Sequence, residues 1–243
     1  MKPTPFLSIV IPAYNEESRL PRALEQVFAF LEKQAYSAEV LVVENGSTDR
    51  TLEVAREFSP HFQGLRVVHE DTPGKGRAVQ RGMLEAAGEY RFFADVDFSM
   101  PVEQINRFLP PACTCDIAIA SREAAGAIRY GEPSFRHLTG RVYNFWIRWL
   151  VLPGLQDTQC GFKCFRGGAV ADIFPFQTLN GWSFDVEVLT IARRRGYTIS
   201  EIGIPWYYTS GSKISVFQHS WRMFADLLKI RRNARIGAYD RPV

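Results

Sequence analysis

Long apolar runs are missing from this sequence of 243 residues. The longest, 142–152, is interrupted by Arg148 and is much shorter than the roughly 20 apolar residues that a membrane-spanning helix needs. The first predicted strand begins at Leu7, which leaves no room for a targeting peptide. We therefore expect neither a transmembrane segment nor a cleaved leader.

Cysteine is scarce, and its spacing argues against the usual zinc knuckles. The four cysteines, Cys113, Cys115, Cys160 and Cys164, form C-x-C and C-x-x-x-C patterns rather than C-x-x-C pairs. Since no signal peptide is present, a disulfide framework is not expected either. We predict structural thiols in a reducing cytosol.

Two common phosphate-binding motifs are also absent. The sequence has no G-x-G-x-x-G fingerprint, and Gly74-Lys75-Gly76 lacks the Ser or Thr that follows the lysine in a Walker A loop. Neither internal repeats nor low-complexity linkers divide the chain. With 46% hydrophobic and 23% charged residues, it is expected to fold as a single globular domain over residues 1–243. A net charge of +3 gives no reason to expect a nucleic-acid partner.

What is present is an alternation of strands and helices. The pattern predicts strands at 7–12, 39–43, 65–69, 90–94, 116–120 and 198–204, and a strand-like or irregular segment at 157–165. Helices are predicted at 17–33, from a cap at Thr48 or Asp49 to 58, and at 76–87, 134–152, 184–195 and 216–232. This order indicates an α/β fold with a mostly parallel central sheet and helices on both faces.

Two carboxylates, Asp95 and Asp97, follow the apolar strand 90–94. Buried carboxylates repel each other unless a cation neutralises them, and alternate residues of an extended segment point the same way. The pair is therefore a candidate Mg²⁺ or Mn²⁺ site that faces an anionic substrate. A solvated turn with two acids is the alternative.

Polar residues also end the other predicted strands. Asn15, Glu44-Asn45 and His69-Glu70 stand at these positions, and ligands of parallel sheets bind beyond the carboxyl ends of the strands. Together with Asp95 and Asp97 they make four polar clusters on one edge. This coincidence favours a metal site over a solvated turn.

The order of these motifs matches a known pattern. Segments 9–16 and 42–49, followed by Asp95-Val96-Asp97, resemble family 2 glycosyltransferases of the GT-A fold. Segments 157–163, 182–187 and 211–213 are similar to the dolichyl-phosphate β-glucosyltransferase branch, which is related to the dolichyl-phosphate mannose synthases. The resemblance covers nearly the whole chain. It implies a Rossmann-like domain in which residues 1–120 bind the nucleotide, and residues 121–243 bind the sugar and the acceptor.

The sequence departs from this family at three points. Glu44-Asn45 stands where the family usually has Asp-Asp, and its longer carboxylate changes the reach toward the base. Ser99 stands where the mannose synthases have a Gln that helps to hold the metal. The N-terminal membrane anchor of eukaryotic members is not expected here.

The resemblance assigns the nucleotide to the ends of the first two strands. Glu44 would accept a hydrogen bond from uracil N3–H, with Asn45 orienting it, whereas the alternative is a simple turn residue. The rest of the base and ribose pocket is expected to consist of Pro12, Ala13, Tyr14 and Glu16. Asp97 is the expected direct ligand of Mg²⁺ or Mn²⁺, and Asp95 is expected to contact metal, ribose or sugar.

Four basic residues are expected to hold phosphate groups. Lys75 lies between two glycines at a predicted helix start, where backbone and anion can approach closely, although a flexible loop has the same composition. Arg122 and Arg136 match arginines that hold the donor and acceptor phosphates in the mannose synthases, the alternative being surface charges. Lys213 in Gly-Ser-Lys is expected to reach the diphosphate or the metal.

The sugar site is assigned to two motifs of the second half. Asp157 and Gln159 are expected to line it, but a phosphate acceptor is already an anion and needs no base. Asp157 is therefore expected to position the sugar or a basic residue. Trp182 and Asp185 are expected to contact glucose through a stacking ring and a hydroxyl acceptor, with core packing as the alternative for Trp182.

Aromatic residues on two predicted helices suggest contact with a membrane surface. Phe145, Trp146 and Trp149 lie on one of these helices, and Trp221 precedes the basic cluster 229–235 on the last. Packing in the core would produce the same spacing. Because a polyprenyl phosphate is a membrane lipid, we expect a cytoplasmic enzyme that is peripheral on the cytoplasmic membrane face.

Residues and resemblance together predict an inverting, metal-dependent transferase that moves glucose from UDP-glucose to a polyprenyl phosphate. Transfer of mannose or another sugar from a GDP or UDP donor, or to another acceptor, is the alternative within this class. A non-catalytic nucleotide-sugar sensor is the alternative from another class, and the intact Asp-x-Asp pair argues against it. Processive synthases carry Gln-x-x-Arg-Trp, whereas Gln218–Arg222 inverts the last pair and lies on a predicted helix.

Overall fold

Strands and helices alternate along the chain. The computed structural model describes residues 4–209 and 216–241, apart from the side chains of Arg136 and residues 216–220. Within them the strands are β1 (Leu7–Ala13), β2 (Ala38–Glu44), β3 (Leu65–His69), β4 (Tyr90–Ala94), β5 (Ile117–Ser121), β6 (Ile128–Tyr130), β7 (Phe162–Arg166), β8 (Ile199–Gly203) and β9 (Pro205–Tyr207). The helices are α1 (Leu20–Leu31), α2 (Thr51–Phe58), α3 (Lys75–Glu85), α4 (Ser134–Leu150), α5 (Gly167–Ile173), α6 (Phe184–Arg194) and α7 (Val216–Arg235). Over the described residues, none of these helices has the length and apolar character needed to cross a bilayer.

Seven strands form the central sheet, in the order β3-β2-β1-β4-β7-β5-β8. All of them are parallel except β7, which runs antiparallel to its neighbours β4 and β5. The first residue of β7, Phe162, therefore pairs with Ala94, the last residue of β4. As a result, the segment that precedes β7 lies at the edge where the parallel strands end. The short strands β6 and β9 form a separate parallel pair.

The central sheet is covered on both faces. In β1, Leu7, Ile9 and Ile11 belong to one apolar core together with residues of α1 and α2. Val10 belongs to the opposite core, which includes residues of α3, α5, α6 and α7. Strands that are buried on both faces read as continuous apolar runs, which is why β1, β2 and β4 are easy to predict.

The mostly parallel α/β architecture is confirmed, but several element bounds are wrong. α1 begins later than predicted, since Pro21 fits the first turn of a helix and not its interior. α2 begins at Thr51, and the Thr51 N–H donates a hydrogen bond to Asp49 Oδ1 at 3.0 Å. The segment 157–165 becomes a strand only in its second half. The strands β6 and β9 and the helix α5 escape prediction because such short stretches carry little periodicity.

The cysteines correct another prediction. Cys113 and Cys115 form a disulfide with Cα atoms 5.7 Å apart, where the spacing predicted free thiols. They lie in an irregular segment before β5, which lets side chains two residues apart turn toward each other. Cys160 and Cys164 are free and buried, in agreement with the prediction.

Candidate active site

Functional side chains collect around a cavity of 630 Å³ at the edge where the parallel strands end. Its inner lining includes Lys75, Asp95, Asp97, Ser99, Arg122, Gln159, Trp182, Asp185 and Thr209. Its outer wall comes mainly from α4 and α7, with Phe135, Leu138, Val142, Tyr143, Trp146, Met223 and Phe224. Of the predicted sugar- and phosphate-binding residues with described side chains, all line this cavity except Asp157.

Asp95 directly follows β4 and is fixed by the segment before β7. Its backbone N–H donates to the carbonyl of Gly161 at 2.9 Å. The Asp95 carboxylate lies so close to Gly161 that a Cβ atom there would be 2.0 Å from Oδ2. Only glycine leaves room for the carboxylate in this position, so the end of β4 and the start of β7 define one rigid corner of the site.

Lys75, the first residue of α3, supplies a positive charge to this corner. Its Nζ lies 2.6 Å from Asp95 Oδ1 and 5.2 Å from the centre of the Trp182 ring. Burial by itself would lower the pKa of Lys75, but the carboxylates of Asp95 and Asp185 outweigh burial and raise that pKa. The lysine therefore remains a cation in the cavity wall.

The glycines on either side of Lys75 have a packing function. A Cβ atom on Gly74 would be 2.3 Å from the Asn180 carbonyl oxygen, and one on Gly76 would be 2.6 Å from Phe184 Cβ. Both glycines therefore make room for the segment 179–184 that leads into α6. This packing brings Trp182 and Asp185 to Lys75.

Asp97 presents its carboxylate to the cavity beside two hydroxyl groups. Oδ1 accepts a hydrogen bond from the Ser99 N–H at 3.1 Å, and Oδ2 accepts one from the Thr209 hydroxyl at 3.3 Å. Carboxylate and hydroxyl oxygens are hard donors that suit Mg²⁺ or Mn²⁺. Among the side chains that the structure describes, no three from His, Cys, Asp or Glu are grouped to hold a metal ion.

Asp157 is fully buried behind Arg122 and does not line the cavity. Nε of Arg122 donates to Oδ2 at 2.6 Å, Nη2 donates to Oδ1 at 2.9 Å, and the Arg122 backbone N–H donates to Oδ2 at 3.0 Å. Burial would raise the pKa of Asp157, but Arg122 outweighs burial and lowers the pKa to about 2. Both carboxylate oxygens of Asp157 are thus bonded to Arg122, and its predicted role of positioning the sugar or a basic residue stays a prediction.

Asp185 lies in the first turn of α6 and is 4% exposed. Its Oδ1 accepts a hydrogen bond from Lys163 Nζ at 2.6 Å, and the same ammonium group donates to the Cys160 carbonyl at 2.6 Å. Burial raises the pKa of Asp185, while Lys163 and Lys75 oppose that increase. Next to it, the Gln159 amide donates to the Trp182 carbonyl at 3.3 Å, which connects the two predicted sugar-binding motifs.

Glu44 ends β2 and is almost completely buried. Its Oε1 accepts a hydrogen bond from the Ser47 N–H, and its Oε2 lies 2.5 Å from Nδ1 of His69 at the end of β3. The hydrogen bond to Glu44 raises the pKa of His69. The Glu44 carboxylate is thus held by the loop after β2 and by the end of β3. Its predicted contact with uracil stays a prediction.

The Asn45 side chain holds the loop that leads to Lys75. Its Nδ2 donates to the carbonyls of Glu70 at 3.0 Å and Thr72 at 2.6 Å, and its Oδ1 accepts from the Gly74 N–H at 2.7 Å. All three hydrogen bonds join the Asn45 side chain to backbone groups of residues 70–74. Asn45 therefore contributes to the site mainly by holding this loop in place.

The other predicted nucleotide-binding residues lie at the end of β1 or just after it. Pro12 and Ala13 pair in register with the end of β2, and Tyr14 is half exposed. Glu16 forms an ion pair with Arg19 at 2.6 Å. These residues do not line the 630 Å³ cavity, but β1 adjoins β4 in the sheet, so they lie along the same edge.

Two predicted residues have no described side chain. Arg136 lies in the first turn of α4, whose backbone borders the cavity through neighbouring residues. Lys213 lies outside the described residues. Their predicted contacts with phosphate groups stay predictions.

Sequence reasoning misses several residues that shape the site. Glu201 in β8 accepts hydrogen bonds from the backbone N–H groups of Gln156 at 2.8 Å and Asp157 at 2.9 Å. The ring of Trp206 lies 5.6 Å from the guanidinium carbon of Arg122. Neither residue has a local signal, because each acts across the fold on a partner far away in the chain. Lys163 does have one, since a lysine inside an apolar strand needs a buried anion.

The mostly parallel sheet, with an Asp-x-Asp pair, a lysine and an arginine at its carboxyl edge, has a GT-A-like fold. The fold is similar to glucosyl-3-phosphoglycerate synthase from Mycobacterium tuberculosis in complex with UDP, with a TM-score of 0.68 and 19% identity over 94% of this chain and 80% of that chain. The same synthase with Mn²⁺, UDP-glucose and phosphoglyceric acid gives a TM-score of 0.67 and 18% identity, over 93% and 79%. At these identities the likeness shows the fold alone.

Sequence comparison then identifies the family. The sequence model of the family "Glycosyl transferase family 2" matches residues 8–171. Dolichyl-phosphate beta-glucosyltransferases from Saccharomyces cerevisiae and Homo sapiens are 32% and 35% identical to this chain, over 96% and 98% of it and 76% and 78% of their own lengths. The chain belongs to glycosyltransferase family 2 and is a transferase, which confirms the resemblance seen in its motifs.

The contact between Gly161 and Asp95 predicts the effect of one added methyl group. Gly161→Ala should displace the Asp95 carboxylate and reduce glycosyl transfer by about 100-fold, since a shift of about 1 Å at a reacting centre has that effect. Gly168→Ala is the matched control, because a Cβ atom there meets nothing within 4 Å. Equal transfer rates for the two variants would contradict the proposed rigidity of this corner.

The lowered pKa of Asp157 predicts how stability depends on pH. A carboxyl group with a depressed pKa in the folded state stabilises it above the unfolded pKa and loses this effect as the pH falls through the folded value. Asp157→Asn should therefore destabilise the protein at neutral pH, by about 3–5 kcal/mol if Arg122 is left unpaired. The difference from wild type should shrink by about 2 kcal/mol as the pH falls from about 4 to about 2.

Urea unfolding across this pH range measures the effect. Thr158→Val is the control, since it replaces an adjacent buried hydroxyl that has no hydrogen-bond partner in the described structure and does not titrate. Its stability difference from wild type should be independent of pH. A pH-independent difference for Asp157→Asn as well would show that the Arg122–Asp157 pair does not stabilise the fold as described.

Proposed function

We propose that this glycosyltransferase moves glucose from UDP-glucose to a polyprenyl phosphate at a membrane surface. The observation that carries the proposal is the two-sided cavity. Charged groups for phosphates form its inner lining, and apolar side chains of α4 and α7 form its outer wall. Relatives named dolichyl-phosphate beta-glucosyltransferase, with alignments over nearly the whole chain, support glucose as the sugar and a lipid phosphate as the acceptor.

The donor would lie along the edge from β2 to β7. Glu44 would accept from the uracil base, Lys75 would face the diphosphate, and Trp182 and Asp185 would contact glucose. A carboxylate acceptor and a cation at these places suit a uridine diphosphate sugar. Structures of similar fold that contain UDP or UDP-glucose support this choice of donor over GDP-mannose.

Asp97 would hold a Mg²⁺ or Mn²⁺ ion together with diphosphate oxygens. Asp95 is already paired with Lys75 at 2.6 Å, which leaves Asp97 as the better direct ligand. The bound ion would supply stabilisation of the negative charge that develops on the departing UDP. Similar folds solved with Mn²⁺ or Mg²⁺ support the use of a divalent metal.

Arg122 would bind the acceptor phosphate. Its guanidinium lines the cavity while Asp157 holds it from behind in a bidentate pair, so its orientation is set before the lipid arrives. A lipid phosphate is an anion and can attack the anomeric carbon opposite UDP without losing a proton. A general base is therefore not required, and the buried Asp157 is free to serve Arg122.

We also propose that helices α4 and α7, which form the outer wall of the cavity, lie on the cytoplasmic face of a membrane. Exposed side chains of α4 and α7 form an aromatic surface made of Phe135, Leu138, Val142, Phe145, Trp149 and Trp221. The sequence of α4 contains three arginines and no acidic residue, while α7 contains five basic residues and one aspartate. Helices that combine apolar and basic residues in this way bind anionic membrane surfaces.

A transfer assay tests the proposed reaction. In detergent, radiolabel from UDP-glucose should appear in polyprenyl phosphate, EDTA should abolish the transfer, and Mg²⁺ or Mn²⁺ should restore it. Asp97→Asn should reduce transfer by about 100-fold or more, since charge on the leaving group would no longer be compensated. Asp240→Asn is the control, because Asp240 pairs with Arg194 away from the cavity.

Four outcomes would contradict parts of the proposal. Labelled lipid from another sugar nucleotide but not from UDP-glucose would refute the donor. Undiminished transfer in EDTA, or full activity of Asp97→Asn, would refute the metal site. Transfer to a soluble acceptor in preference to the lipid phosphate would refute the acceptor.

Vesicle binding tests the membrane surface. Trp149→Ala combined with Trp221→Ala should weaken sedimentation with vesicles of phosphatidylcholine and phosphatidylglycerol by about tenfold or more, since two large apolar side chains are removed. UDP binding should not change. Leu84→Ala, an exposed leucine of α3 outside the aromatic surface, is the control and should bind vesicles like wild type. Undiminished binding of the double variant would refute this surface.

A further inference from the structure

Lys163 is a buried lysine that the reaction described so far does not use. It lies in β7, its residue is 1% exposed, and it does not line the cavity. Its ammonium group donates to Asp185 Oδ1 and to the Cys160 carbonyl, each at 2.6 Å. It also lies 5.1 Å from the centre of the Phe93 ring.

Packing alone does not account for this lysine. Its partners in the sheet are apolar, since Lys163 pairs in register with Phe93 of β4 and Ile119 of β5, and both belong to the same apolar core as Phe165. A buried ion pair is often no more stable than apolar residues of similar volume, because both charges must leave water. The pair with Asp185 therefore points to a requirement at the carboxylate and not to a requirement of the core.

Asp185 is the member of the pair that faces the ligand. It lines the cavity beside Asp95 and Trp182, whereas Lys163 approaches from behind. The other nearby cation, Lys75, is bound to Asp95 at 2.6 Å. Lys163 is therefore the cation in direct contact with Asp185. Its bond occupies Oδ1 and leaves Oδ2 to accept from another donor.

We propose that Lys163 is a positioning residue that holds the Asp185 carboxylate oriented to accept hydrogen bonds from hydroxyl groups of the donor sugar. The inference rests on the proposed function, in which a sugar nucleotide binds at this edge. It assigns Lys163 to recognition of the sugar and not of the nucleotide. Removal of the lysine should then weaken binding of a sugar nucleotide and leave binding of the nucleotide diphosphate nearly unchanged.

Lys163→Met tests this assignment, because methionine keeps the apolar stem and removes the charge. Calorimetric titrations with UDP and with UDP-glucose, both in the presence of Mn²⁺, give the two dissociation constants. We expect about tenfold weaker binding of UDP-glucose, in the range for loss of one hydrogen bond to a charged group, and UDP binding within about twofold of wild type. Lys33→Met, an exposed lysine after α1, is the matched control and should change neither constant.

Asp185→Asn provides a second route to the same answer. It should produce the same selective loss for UDP-glucose, and the double variant should lose little more than either single variant, because the two residues act as one unit. If Lys163→Met does not fold, Lys163→Arg decides, since it keeps the positive charge but changes the geometry of the bond to Asp185, and it should show the same selective loss for UDP-glucose. Retained UDP affinity in either variant shows that the nucleotide half of the site is intact.

The outcomes separate this inference from the proposed function. Unchanged UDP-glucose binding in Lys163→Met, or equal losses for UDP and UDP-glucose in that variant, would overturn the role of Lys163 in sugar recognition. Failure of the wild-type protein to bind UDP-glucose would instead overturn the donor on which the inference rests. The wild-type titration alone distinguishes the two cases.

Discussion

Paired burial of opposite charges is the constraint on which this site depends. Three acidic residues at the carboxyl edge of the sheet each have their own cation, in the pairs Asp95–Lys75, Asp157–Arg122 and Asp185–Lys163. An unpaired buried charge is costly, so each pair fixes the relative position of the two elements that carry it. The pairs connect β4 with α3, the end of β5 with the segment before β7, and β7 with α6. Cationic and anionic groups are thus in place before any substrate binds.

The antiparallel strand β7 makes this arrangement possible. Because it runs against β4, its preceding segment reaches the same edge as the Asp-x-Asp pair, and Gly161 lies against Asp95. A parallel strand in this position would place that segment at the opposite end of the sheet. The direction of one strand therefore brings a motif of the second half to the carboxylates of the first. The contact between Gly161 and Asp95 therefore belongs both to the packing of the sheet and to the proposed substrate site.

Much of this architecture is predictable from sequence, and the exceptions have physical reasons. Strands such as β1 and β4 are continuous apolar runs, so their ends and the Asp-x-Asp pair follow directly. The partner of a buried charge does not follow, because Arg122 and Asp157 are distant in sequence and meet only when β5 and β7 pair. The disulfide between Cys113 and Cys115 could not be predicted either, because the spacing of two cysteines does not show how the backbone turns between them. Roles of single residues toward substrates remain predictions that rest on their placement.

The central claim is that a lipid phosphate held by Arg122 displaces UDP in a single step without a general base. Such a displacement inverts the anomeric centre of an α-linked donor, and two-step or front-face routes retain it. The most direct measurement is the anomeric configuration of the sugar in the lipid-linked product, read from the anomeric proton in an NMR spectrum. We expect the β configuration. An α-linked product would contradict it.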